Sequence, residues 1–199
     1  MKKKEQVYIN FRNAVLIIGL TVVTFAISMV LTFPFAASPM MLAFFSAPFA
    51  TVLGGAIYVL MMCKAPYRGN ITLQTFIKSA PMVLMGSATY TIVSLVSAIF
   101  AELVFVKDST RTPLKMYISY GILSVGSTLG TYVPVLLQKD SIINGLVEQG
   151  VDAAIIAAYT DLYSPAYIAL AGVVGFAAGC LGIFIGTKIF KKHFSKIGV

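Results

Sequence analysis

Few residues in this chain have the type and spacing to do covalent chemistry. His193 is the only histidine, and Cys63 and Cys180 are the two cysteines, each in or at the end of an apolar run. A single histidine near the chain end leaves none for acid–base work at the opposite ends of the apolar runs. Without a CxxC or Cys/His cluster, neither a disulfide framework nor a zinc site is indicated. There is no HExxH, and no glycine-rich loop ending in Lys-Ser/Thr, so the chain lacks the usual P-loop means of hydrolysing ATP. No apolar run holds a pair of carboxylates that could share acid and base roles. No catalytic residue, metal or cofactor is expected, and the protein is not expected to be an enzyme.

Two charges and one group of aromatic and sulfur side chains remain. Lys78 and Glu102 are the ionisable residues deepest in apolar sequence. A charge inside a membrane is costly and marks a functional candidate. The simpler expectation is that the two pair with each other, the Lys78 stem reaching toward the interface. The second group is Phe33, Phe35, Met40, Met41, Met85, Tyr90, Tyr132, Tyr159, Tyr163 and Tyr167, all toward one set of run ends. An interfacial aromatic belt accounts for the tyrosines. Aromatics mixed with adaptable thioethers also suit a pocket for a flat, mostly apolar ligand. On the pocket reading, Phe35, Met41, Tyr90, Tyr132, Tyr159 and Tyr163 form the substrate-binding site, with Gln138 and Asp161 as polar contacts. It lies among the outer ends of the first, fourth, fifth and sixth apolar runs.

The elements that must position these residues are membrane helices. The 199 residues are 58% hydrophobic and 11% charged, with a mean hydropathy of +0.89. A soluble domain of this length cannot hide so much apolar side chain, whereas lipid can solvate it. The pattern predicts an all-α, polytopic integral membrane protein: a single domain of six spans at 13–33, 39–62, 70–86, 87–106, 113–137 and 165–190. Ser38-Pro39, Thr112-Pro113 and Ser164-Pro165 each set a capping side chain before a proline at the first helical position. Asn70 caps the short third span, which contains Pro81. Met1 to Lys4 followed by an apolar run resembles a signal peptide. The run from Ala14 to Phe33 is longer than the usual ~7–15 residues, so retention as a span is expected.

Basic residues set the orientation. With the amino terminus inside, 13 of the 15 Lys and Arg fall on the inner side. Lys139 falls outside, among Asp140, Glu148, Asp152 and Asp161. The net charge of +8 is therefore a topology signal, with both termini cytoplasmic, and not a nucleic-acid surface. The outer segment 138–163 carries apolar residues at helical spacing and is expected to form an amphipathic helix, either floating in the headgroup layer or closing over an outward pocket. In the sixth span Gly172, Gly175, Gly179, Gly182 and Gly186 make one glycine face. Gly121, Ser124, Thr128 and Thr131 make a similar small face in the fifth. Either face can pack within the chain or dock a separate membrane subunit.

Three segments carry a resemblance to a known family. Lys64-Ala65-Pro66-Tyr67-Arg68-Gly69 closes the second span like a Lys-x-Pro-x-x-Gly turn. Ala101-Glu102-Leu103 ends the fourth. Lys191-Lys192-His193-Phe194-Ser195-Lys196-Ile197-Gly198-Val199 is similar to a Lys-Lys-His-Phe-x-Lys-Ala-Gly ending. The chain thereby resembles the substrate-capture subunits (S components) of energy-coupling factor (ECF) transporters, and among them the Trep_Strep group related to the MptS subunits. The resemblance implies capture of a micronutrient at the outer face: a vitamin, a modified-base precursor or a tetrapyrrole. It also implies partners, a transmembrane coupling subunit and two cytoplasmic P-loop ATPases, and a bacterial plasma membrane location. Many such subunits dock through an Ala-x-x-x-Ala pattern in the first span. Here the nearest equivalent is Gly19, Thr21, Thr24 and Ser28, with Ala26, which departs from that pattern. The rival readings are a stand-alone transporter or channel, for which no inverted repeat is visible, and a membrane enzyme, for which the acid/base set is missing.

Overall fold

The computed structural model describes residues 11–37, 45–65, 68–84, 88–105 and 112–194. Among these the chain is helical: α1 (Phe11–Thr32), a 3-10 turn (Phe33–Ala37), α2 (Ala47–Lys64), α3 (Asn70–Leu84), α4 (Ala88–Leu103), α5 (Pro113–Leu137), α6 (Lys139–Glu148), α7 (Ala153–Leu162) and α8 (Pro165–Phe194). Pro113 and Pro165 open their helices, where the missing N–H costs nothing because it would have no partner. The expected start at Ser38-Pro39 lies outside the described residues, and α2 begins at Ala47 with Pro48 in its first turn.

Six helices close a ring. α1 packs on α2 and α3, α3 on α4, α4 on α5, α5 on α8, and α8 returns to α2, while α2 also touches α5 across the centre. Four of them (α1, α2, α5 and α8) are long and apolar enough to cross a membrane. α4 is apolar but has only 16 residues. α3 has 15, which at ~1.5 Å per residue reaches ~22 Å against a ~30 Å hydrocarbon layer. The outer surface is apolar: Val30 of α1, Ile92 of α4 and Val173 of α8 are 60% or more exposed, as side chains facing acyl chains should be.

The glycine face of α8 packs inside the chain. A Cβ on Gly182 would lie 3.0 Å from the Thr51 carbonyl oxygen of α2, and one on Gly55 would collide with Gly182 itself. Further along, a Cβ on Gly179 would come within 3.0 Å of Gly121 Cα and the Tyr120 carbonyl oxygen of α5. α8 therefore wedges between α2 and α5 backbone to backbone. Close van der Waals contact is the main attraction available between helices in lipid.

The segment 138–163 is two helices, not the single one its periodicity suggests. Gly150 takes a left-handed backbone, φ +70°. Gly150 N–H donates to the Val147 carbonyl and Val151 N–H to the Leu146 carbonyl. This double closure ends α6. Asp152 then opens α7 by accepting from Ala154 N–H at 2.7 Å, so a glycine stop and an acidic cap sit two residues apart. α6 packs on α5, and α7 on both α6 and α8.

One end of the bundle is filled solid. Tyr58, Met62, Ile71, Ala98, Phe105, Met116 and Ile183 form a buried cluster there, and the Tyr58 and Ser119 hydroxyls bond at 2.7 Å. At this end Glu102 does not pair with Lys78. One carboxylate oxygen accepts from Gly69 N–H and the other from Ile71 N–H, both at 3.0 Å. The carboxylate thus caps α3 from the neighbouring helix, where two free N–H groups and the helix dipole favour an anion. Gly69, at φ +83°, bends the chain into that position.

Candidate functional site

With one end packed, the other is hollow. A cavity of about 370 Å³ opens among α1, α2, α3, α4 and α5. Phe25 and Met29 of α1, Met82 of α3 and Val135 of α5 give it apolar walls, broken by hydroxyls of Ser28, Thr32, Thr51, Ser127 and Thr131. Below it lies a smaller chamber of about 40 Å³, ringed by Thr24, Gln74, Thr75, Ser79, Ser94, Tyr120 and Ser124. Thr51, Lys78, Tyr90 and Ser127 line both chambers. They mark the junction.

Local sequence explains the arrangement. Asn70, Gln74 and Lys78 fall four residues apart in α3, so one helical stripe is polar and turns inward. Asn70 and Gln74 are buried, and Lys78 enters the cavity six residues before the end of its helix. In α5, Tyr120, Ser124, Ser127 and Thr131 form a matching stripe. Tyr120 donates to the Thr51 carbonyl at 2.8 Å, which joins α5 to α2 beneath the chamber. Gly130 leaves room for the Tyr90 ring, since a Cβ there would lie 2.8 Å from it. Thr91 donates to the Ser79 carbonyl at 3.0 Å and ties α4 to α3 beside the lysine.

Three buried oxygens around the lower chamber, Gln74 Oε1, Ser94 Oγ and Ser124 Oγ, have no hydrogen-bond partner among the described residues. Among the described residues neither chamber is lined by an aspartate or glutamate, so Lys78 faces hydroxyls, an amide and aromatic rings. No His, Cys, Asp or Glu cluster able to hold a metal occurs among the described residues. The arrangement can bind and orient a small molecule.

The aromatic residues expected to form one site are separated. Tyr90 lines the cavity. Tyr132 is fully buried and packs on Tyr163 with ring centroids 5.4 Å apart, in a cluster with Ala171 outside both chambers. Phe35 stacks edge-on against Phe49 at 5.4 Å and lines a separate apolar cleft with Phe45, Val174 and Leu181. Gln138 and Asp161 are exposed. Tyr159 lies on α7, and Met41 falls outside the described residues. Among the described residues none of 138–163 lines either chamber, so the described parts of α6 and α7 do not lid this cavity. Of the first-span residues expected to dock a subunit, Gly19 faces outward with nothing near it. Thr21 and Thr24 are buried and Ser28 faces the cavity. Sequence reading missed Gln74, Ser94 and Ser127 and gave Ser124 only a place on a packing face; polar residues three and four apart within apolar helices were the available signal.

The sequence family described as a hypothetical bacterial integral membrane protein (Trep_Strep) matches residues 11–196. The chain belongs to this Trep_Strep family. No curated protein and no solved structure matches it. Family membership agrees with the four long apolar helices and the lipid-facing surface, and makes the protein a bacterial integral membrane protein.

Proposed function

We propose that this Trep_Strep protein is the substrate-capture subunit of an ECF-type importer in the bacterial plasma membrane. In this reading the six ring helices all cross or enter the membrane with both termini in the cytoplasm. The cavity then opens outward, because it lies at the end opposite Lys64, Arg68, Lys115 and Lys188. A micronutrient enters from outside and is held between α1 and α5. A membrane coupling subunit and two P-loop ATPases then drive reorientation and release, with no chemistry on the ligand.

The observation that carries the reading is a polar-floored cavity in a chain whose sequence has no P-loop motif. Its ~370 Å³ falls within the usual range for small-molecule sites, roughly 300–1,000 Å³. A channel would need a path through the packed end, where Tyr58, Phe105 and Met116 fill the centre. The test is purification of the tagged chain from its native membrane in mild detergent. A larger helical subunit and a pair of P-loop ATPases should co-purify in fixed ratio. Recovery of the chain alone, with uptake that needs no ATP, would instead indicate a stand-alone transporter.

A further inference from the structure

We infer that the ligand is an amphipathic monocarboxylate, its carboxylate seated against Lys78 at the junction of the two chambers and its apolar body in the upper one. This deepens the proposed capture role and rests on it. Among the described residues, Lys78 is the one charged residue lining either chamber. It sits six residues, or ~9 Å, inside the end of α3, in a bundle whose outer surface is hydrocarbon-facing. An ammonium placed there is costly unless an anion accompanies it. The carboxylate that could have served, Glu102, is committed to the N-terminus of α3 by two hydrogen bonds at 3.0 Å. The protein therefore supplies the cation, and the ligand supplies the anion.

The remaining groups define the rest of the molecule. One fixed positive charge balances a monoanion, whereas a phosphate dianion would leave charge uncompensated beside neutral hydroxyls. The lower chamber, about 40 Å³, has room for a few atoms only, since one water-sized probe needs roughly 10–15 Å³. Gln74 Oε1, Ser94 Oγ and Ser124 Oγ stand around it without partners, each on a side chain more than nine-tenths buried. The serine hydroxyls can donate to a carboxylate oxygen, and Gln74 Oε1 can accept from a hydroxyl or amine beside that carboxylate. Above the junction, Phe25, Met29, Met82 and Val135 supply apolar walls, and the Tyr90 ring a flat face.

The probe is the small-molecule extract of the producing bacterium, split on an anion-exchange resin into retained and unretained fractions. Each fraction is tested for thermal stabilisation of the purified full chain in detergent. The retained fraction should raise the melting temperature of wild type. Amidation of its carboxylates should remove the effect, and phosphatase treatment should not. Lys78→Gln should weaken the response roughly ten- to hundredfold in the amount of extract required, the usual cost of losing a charge-assisted hydrogen bond. Lys78→Arg should keep most of it. Stabilisation by the unretained fraction, by a phosphatase-sensitive component, or equally in Lys78→Gln would overturn the carboxylate assignment while leaving ligand capture standing. Stabilisation by neither fraction would overturn the capture reading itself.

Discussion

Replacing Gly179 with leucine tests how the bundle is held together. A Cβ at this position already lies 2.5 Å from Ser124 Oγ, 3.0 Å from Gly121 Cα and 3.0 Å from the Tyr120 carbonyl oxygen. Carbon atoms pack best at ~3.5–4.0 Å, so even alanine is too close by ~0.5–1 Å. The two 3.0 Å obstacles are backbone atoms and cannot rotate away. Overpacking of this kind costs ~1–3 kcal/mol, and leucine, with three more carbons, should reach about 3 kcal/mol. Gly179→Ala sets a helix-propensity gain of ~1 kcal/mol against a milder clash and should fall between. Ala177, two residues away, is exposed, so Ala177→Leu should stay within ~0.5 kcal/mol. At ~2–4 °C per kcal/mol for a chain of this size, Gly179→Leu should melt about 6–12 °C below wild type in detergent. Equal melting temperatures for Gly179→Leu and Ala177→Leu would show that the glycine face is not a helix interface.

Other outcomes follow from the same structure. Glu102→Ala should destabilise by about 1–3 kcal/mol, because two N–H groups at the start of α3 lose their acceptor; Glu102→Gln, which keeps one oxygen, should lose less in the same melt. Tyr132→Ala should cost about 3–5 kcal/mol of stability, since Tyr132 is fully buried against Tyr163. Ligand-dependent stabilisation should survive in whatever fraction of it remains folded. Ser127→Trp should do the reverse, filling the cavity and abolishing stabilisation by cell extract at nearly unchanged intrinsic melting temperature. A cysteine at position 144, in a chain lacking Cys63 and Cys180, should react with a membrane-impermeant maleimide in sealed cells. Protection there would reject an outward-facing 138–163 segment.

Helix type and order were legible because each relies on local signals: apolar runs, prolines at helix starts and basic residues at one set of ends. The break within 138–163 was legible too, in Gly150 followed by Asp152, but apolar periodicity masked it. The fate of the charges was not. Lys78 and Glu102 seem natural partners in one dimension; only the packing of α4 on α3 reveals that Glu102 meets backbone N–H groups first. The tyrosines were ambiguous for a related reason. Tyr90 and Tyr132 are alike as sequence, yet one faces the cavity between α3 and α5 while the other turns toward Tyr163 and α8. The cavity floor is built from serine, threonine and glutamine, which in a single sequence look the same as hydroxyls bonding their own helix. Thr24, Thr75 and Thr128 do bond back in that way, whereas Ser94 and Ser124 are left without partners.

The proposed capture role requires that ATP-hydrolysing partners, and not this chain alone, deliver the ligand. The most direct measurement is accumulation of the stabilising extract component, radiolabelled or followed by mass spectrometry, inside proteoliposomes. One set carries this protein with the co-purified membrane subunit and ATPases; the other carries the protein alone. Accumulation above the external concentration should require the whole assembly and ATP, and liposomes with the protein alone should bind the component without transporting it. Passage into liposomes holding the protein alone, without ATP, would contradict the account.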